Sequence, residues 1–242
     1  MLFEWTEEKI EWYIRASRIT GFHRILADRI RPSLKVTDHV VDLGCGPGLI
    51  DLEISRDVGR ITAIDIDQLV LRRLGLEIKK GGYSNIHTVQ GDVKETPGAM
   101  LPGSFDILLT CFFGGPGPVF EAAYRKASRM AIFITHGADT SKNPSKIGGE
   151  FRRVFADEMD AWLDAKRIQF IKIDDCLDFG QPFLSTEEAE RFFEVYAKEY
   201  EDPKERRAHI EDRLALVEET DDPAYPRFFH NLKDVAIFII EK

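Results

Sequence analysis

The residues best placed to do chemistry are one carboxylate and three glycines in alternation, Asp42, Gly44, Gly46 and Gly48. They close an apolar run and lead into Leu49–Ser55, which reads as a helix. Glycines at that spacing let a backbone pass close to a ligand, and the carboxyl end of the first parallel strand is where open α/β sheets bind one. The pattern is not the dinucleotide fingerprint. Counted from Gly44, the sixth position is Leu49, where Gly or Ala normally lets helix and strand approach around a pyrophosphate. A nucleotide-like ligand without that pyrophosphate is the expectation, and a ligand-free tight turn is the alternative. Two more carboxylates, Asp65 and Asp92, stand at or just past the ends of further apolar runs, with Asp67 competing with Asp65 as a helix cap. His136 follows a later run and is the candidate general base, against the plainer reading of a structural or exposed histidine.

The elements that must position these groups follow from periodicity. From Asp38 onward, short β-rich runs alternate with helix-length segments, the mark of βαβ units around a parallel sheet. The runs are His39–Leu43, Arg60–Asp65, Asn85–Gln90, Phe105–Cys111 and Met130–Thr135, followed by Gln169–Ile173 and a final buried run, Val235–Ile240. Residues 6–30 have helical spacing with a possible break at Gly21, and Pro32 stops them. Asp67–Lys80, Pro118–Ser128 and Glu150–Lys166 read as helices. Ser185-Thr-Glu-Glu188 matches a capping box before a helix to about Tyr200, and Lys204–Glu219 reads as another. The expected organisation is one domain over 1–242, with a helical lid (1–32), a ligand-binding core (38–136) and substrate-side helices and last strands (137–242).

The glycine motif resembles the first motif of the class I S-adenosylmethionine-dependent methyltransferases, an acidic residue followed by Gly-x-Gly-x-Gly, and Asp42, Gly44, Gly46 and Gly48 match in register. The resemblance continues in Ile61–Asp67, Val89–Val93 and Gly103–Thr110. It implies a seven-stranded, mostly parallel, doubly wound sheet with Val235–Ile240 antiparallel beside the fifth strand and an insertion before it. It also implies S-adenosylmethionine as cofactor, held by Asp42, Leu43, Gly44 and Gly46 at the methionine turn, Asp65 on the ribose hydroxyls, Ile66 on the adenine face, Asp92 and Val93 at the adenine edge, Thr110 on the fourth strand, and Tyr13 from the lid. The chemistry agrees: a diol, an ammonio-carboxylate and a sulfonium with no phosphate call for acidic side chains and bare backbone.

Composition narrows the acceptor. A net charge of −9 lacks the basic stripe that a phosphate grip requires. The loop Phe112–Pro118 lacks the Asn/Asp-Pro-Pro-Tyr/Phe signature of relatives that methylate nucleic-acid amines, so a small-molecule acceptor is expected and nucleic acid is not. Phe112 and Phe113, if turned inward, would exclude water there. Cys45, Cys111 and Cys176 are scattered, with no disulfide framework or zinc spacing. With no signal-peptide pattern and no apolar run of roughly 18 residues, a cytoplasmic location and no membrane contact are expected. The competing functions are a nicotinamide-dependent oxidoreductase, against which Leu49 counts, and a non-catalytic cofactor-binding or scaffold protein. Residues 1–30, 137–166 and 176–233 are expected to set acceptor specificity, with Arg152, Arg153 and Arg227 as possible anion partners or plain surface arginines.

Overall fold

The computed structural model describes residues 4–94, 100–137, 156–197 and 200–242. Helices α1 (Glu7–Thr20) and α2 (Phe22–Ile30) open the chain. The Thr6 hydroxyl accepts from the Lys9 amide to cap α1, and Gly21, at φ 69°, ends it in the left-handed conformation and turns the chain into α2. Then come β1 (His39–Leu43), α3 (Leu49–Ile54), β2 (Arg60–Asp65), α4 (Gln68–Gly81), β3 (Ile86–Gln90), β4 (Phe105–Cys111), α5 (Pro118–Lys126) and β5 (Ala127–His136). Asp67 takes the cap of α4, its Oδ1 accepting from the Leu69 amide at 2.7 Å. This settles which aspartate caps the helix and leaves Asp65 for other work.

After α6 (Ala156–Lys166) and β6 (Ile171–Asp178), the chain makes β7 (Gln181–Phe183), α7 (Thr186–Tyr196), α8 (Pro203–Leu214), β8 (Glu218–Glu219) and β9 (Arg227–Phe229) before closing with β10 (Leu232–Glu241). The main sheet has seven strands in the order β3-β2-β1-β4-β5-β10-β6. β10 is antiparallel to both neighbours, with Ile237 opposite Ile134 on β5 and Ile173 on β6. The expected seven-stranded, mostly parallel sheet, with its last strand inserted antiparallel beside the fifth, is therefore the fold. Period-2 alternation divides its side chains between two apolar layers. Val40, Ile107, Ile132 and Ile237 pack on one face with Phe22, Leu26 and Ile54. Val41, Leu108, Phe133 and Phe238 pack on the other with Phe120, Met159 and Leu163.

The departures from expectation lie in the second half. Lys204–Glu219 is not one helix: α8 ends at Leu214, and Glu218–Glu219 pair with β9 in a three-stranded sheet, β7-β9-β8, that helical periodicity could not reveal. Helix α7 stops at Tyr196 rather than Tyr200, and β6 extends beyond Ile173 to Asp178. Of Glu150–Lys166, the part from Ala156 is helical; Phe151, Val154, Phe155, Arg152 and Arg153 lie outside the described residues. Between β6 and β10 the inserted elements carry a core of their own, Phe183, Phe192, Phe193 and Phe229, joined by Trp12 from α1. Glu188 locks the junction. It accepts from Trp12 Nε1 at 3.2 Å and from Arg15 Nη1 at 2.8 and 2.9 Å, while the Leu184 amide donates to it at 2.6 Å. Arg227 pairs with Glu219 inside the small sheet.

Candidate cofactor and acceptor site

The glycine turn is stapled to the second strand, since the Gly44 and Cys45 amides both donate to the Ile64 carbonyl at 2.8 and 3.0 Å. Gly44 and Gly46 adopt φ 70° and 54°, left-handed values that disfavour any residue with a Cβ. Space forbids one at Gly44 as well: a methyl there would stand 2.1 Å from the Phe113 ring, whereas at Gly46 the nearest group is Trp5, 3.7 Å away. Trp5 thus sits over the turn from the start of α1, edge-on to Tyr13. Nothing local in the sequence distinguishes Trp5 from its aromatic neighbours.

Asp65 ends β2 beside this turn, its Oδ2 accepting from the Gly46 amide and its Oδ1 from the Asp67 amide, each at 2.8 Å. Burial raises its pKa, and the backbone amides oppose that shift. Each oxygen keeps an acceptor lone pair for a ligand. Next to it Ile66 is 44% exposed, an apolar side chain left open to a planar group. β3 is laced to this end through Gly91 N to the Asp65 carbonyl at 2.9 Å and Gln90 Nε2 to the Ile66 carbonyl at 3.3 Å. Asp92 closes a turn, accepting from the Lys94 amide at 2.7 Å, and Val93 is buried behind it in the layer that holds Leu43.

Asp42 and Asp51, on β1 and in the first turn of α3, are fully buried, and none of their four carboxylate oxygens has a hydrogen-bond partner. Burial raises the pKa of both, that of Asp51 to about 8, and Asp51 and Asp65 push Asp42 further in the same direction. Burial and these same aspartates push the Cys45 and Cys111 thiols well above their usual range, so neither is an activated thiolate. Asp51 was not anticipated, because an acid in the first turn of a helix is ordinary. Thr110 occupies the opposite face of the sheet from Asp42. Its buried hydroxyl also lacks a partner, and it lines a cavity of about 220 Å³ with Leu43, Phe113, Pro118 and Phe120.

The carboxyl edge of β4 to β6 is built from rings. Phe112, directly after β4, has φ 53°, a conformation that costs a residue with a side chain roughly 1–3 kcal/mol and aims the ring inward. It lies 5.0 Å from the ring of His136, the last residue of β5, and 5.9 Å from Phe22. Phe179, just past β6, packs 4.8 Å from Phe22 and 5.1 Å from Tyr13; of the Phe112-Phe113 pair, Phe112 joins this layer and Phe113 packs into the opposite one, against Gly44. The Tyr13 hydroxyl is engaged by His23 Nε2 at 3.1 Å, and His23 Nδ1 by the Ser17 hydroxyl at 2.7 Å. Burial lowers the His23 pKa to about 3, leaving a neutral ring, and raises that of Tyr13 beyond any physiological titration. Among the described residues no group of three or more His, Cys, Asp or Glu could hold a metal.

The turn and its neighbours fit the cofactor implied by the sequence motifs. Bare backbone at Gly46, orphaned buried carboxylate oxygens at Asp42, a half-buried carboxylate at Asp65 and an exposed apolar face at Ile66 match an ammonium, a diol and a base. Residues 40–131 match the family model described as a methyltransferase domain. The fold matches that of the YcgJ protein from Bacillus subtilis, with TM-score 0.59 and 16% identity over 92% of this chain and 97% of that one. It also matches the BH2331 protein from Bacillus halodurans C-125, with TM-score 0.59 and 14% identity over 90% and 98%. A third match is the [4+2]-cyclase SpnF, with TM-score 0.55 and 16% identity over 90% and 80%. No curated protein matches the sequence. Among the described residues no helix is long and apolar enough to cross a membrane.

Proposed function

We propose, from the match of residues 40–131 to a methyltransferase-domain model, that the chain is a class I, S-adenosylmethionine-dependent enzyme that transfers the methyl group to a small organic acceptor held against the rings at the carboxyl ends of β4, β5 and β6. The cofactor, when bound, supplies a sulfonium methyl open to in-line displacement. Asp65 receives the ribose hydroxyls on its free lone pairs, Ile66 and Val93 flank the adenine, and Asp92 meets its edge. Gly44, Gly46 and Leu43 give the methionine arm a backbone wall, with Asp42 beneath it and Thr110 on the far side of the sheet. The ends of strands one to three are thereby taken, and the acceptor is left the edge beyond strands four and five.

The observation that carries the acceptor class is the meeting of Phe112, His136 and Phe179 under Tyr13. A partly buried cluster of rings packed against the N-terminal helices suits an apolar or planar molecule far better than a polymer backbone. Holding donor and acceptor in line lowers the barrier by roughly 7–11 kcal/mol in favourable cases. In this reading His136, whose ring lies against Phe112, takes the proton that the acceptor loses on methylation. Turnover on a panel of small aromatic and apolar acceptors, followed by S-adenosylhomocysteine release, tests this reading. Modification of the panel supports it, and methylation confined to RNA or protein overturns it. SpnF has the same fold and is described as a [4+2]-cyclase, so a second reading, cofactor binding without methyl transfer, predicts S-adenosylhomocysteine binding with no turnover on any acceptor.

A further inference from the structure

Asp42 and Asp51 are two fully buried carboxylates, near enough that the charge of Asp51 raises the pKa of Asp42, and a single ammonium on Asp42 leaves Asp51 without a partner. Asp42 is the penultimate residue of β1, before the glycines, and Asp51 lies in the helix that follows them, so the loop carrying Gly44, Gly46 and Gly48 is bracketed in sequence by two carboxylates. Both are inaccessible to solvent, and no donor satisfies any of their four oxygens. The titratable groups around them are Asp65 at the end of β2, Cys45 in the turn, Cys111 on β4 and Tyr13 on α1, with His23 of α2 behind Tyr13. None of the charges acting on Asp42 is cationic. Two like charges cannot both be kept in so dry and unpaired a place, because burial of an uncompensated carboxylate is among the largest costs a fold can carry.

We propose that Asp42 and Asp51 share one proton in the ligand-free protein, and that arrival of the sulfonium donor expels it while the neutral thioether product leaves more of it in place. Asp51 thereby acts as a positioning residue that lets the site distinguish donor from product by charge. The balance is simple. The pair passes from one negative charge to two, one proton goes to solvent, and the added negative charge is matched by the positive charge that distinguishes a sulfonium from a thioether. The low dielectric around the pair makes that charge effective without direct contact. In the window where the pair gives up one proton on binding, donor affinity rises up to about tenfold per pH unit.

This rests on the cofactor assigned above, and calorimetry separates the two. The protein is titrated with S-adenosylmethionine and with S-adenosylhomocysteine at pH 7 in two buffers of different ionisation enthalpy, which counts the protons exchanged. More proton release is expected with S-adenosylmethionine than with S-adenosylhomocysteine, and the excess should vanish in Asp51→Asn. Asparagine keeps the shape, and subtracting the variant removes the ligand's own ammonium from the count. Asp42→Asn, which removes the other half of the pair, should abolish the excess equally and serves if Asp51→Asn does not fold. Equal proton counts for the two ligands, or an excess undiminished in the variants, would overturn the proposal while leaving the cofactor assignment intact. Failure of both ligands to bind would remove the assignment and the proposal together.

Discussion

Along the carboxyl edge of the main sheet, β1 to β3 present carboxylates, positive-φ glycines and backbone amides, whereas β4 to β6 present Phe112, His136 and Phe179. The first half is built from groups a few residues apart in sequence, each held by backbone hydrogen bonds. The second is assembled from strand ends far apart in the chain and roofed by α1, which the inserted α7 and small sheet hold through Glu188. The difference suits a fixed cofactor and a variable acceptor. A constant polar ligand is met by a local motif, and an acceptor by side chains that loops and insertions are free to change.

The sharpest way to break this division is His136→Ala. If the histidine is the base, kcat falls about 10²- to 10⁴-fold with S-adenosylhomocysteine affinity unchanged. A comparable loss of cofactor affinity would show that the two halves are not separable, and a change of only a few fold would mean that alignment alone suffices. Asp65→Ala strikes the other half. Loss of two charge-assisted bonds to a diol weakens S-adenosylhomocysteine binding by about 2–4 kcal/mol, seen by calorimetry on a variant whose circular dichroism matches the wild type. Unchanged affinity would sink the ribose assignment.

Two smaller effects test the lid. His23 is buried neutral with its pKa lowered to about 3, so its contribution to stability is complete above the unfolded value near 6.5 and is lost as pH falls from there toward 3. Thermal unfolding followed from pH 7 to 4 should show a falling midpoint in the wild type and a flatter one in His23→Gln. Equal slopes would place the acid sensitivity elsewhere. Tyr13→Phe removes only the bond to His23 and should cost about 1 kcal/mol of stability in denaturant unfolding, with S-adenosylhomocysteine affinity nearly constant. A large affinity loss would mean that the hydroxyl reaches the cofactor instead.

The sheet was legible because its strands are short apolar runs with period-2 alternation, and the proposed cofactor half could be marked out because Asp42, Gly44, Gly46, Gly48 and Asp65 fall within one βαβ unit. Even the antiparallel last strand followed once the motif order pointed to a family. The small β7-β9-β8 sheet was not legible. Glu218–Glu219 and Arg227–Phe229 are too short to show a period, and the charged stretch before them continues a helical pattern across the true end of α8. Trp5 over Gly46 and Phe113 on Gly44 are tertiary contacts with no local sign in the sequence. Asp51 was hidden for the opposite reason: its position has an ordinary local explanation, and only three-dimensional burial beside Asp42 makes it unusual.

The division of the edge is tested most directly by a crystal structure of the protein with S-adenosylhomocysteine and a methylated product bound together. The account predicts the ribose hydroxyls on Asp65, the adenine against Ile66, and the thioether sulfur facing a product held among Phe112, His136 and Phe179. A product lodged at the opposite ends of the strands, or a cofactor whose ribose does not meet Asp65, would contradict it.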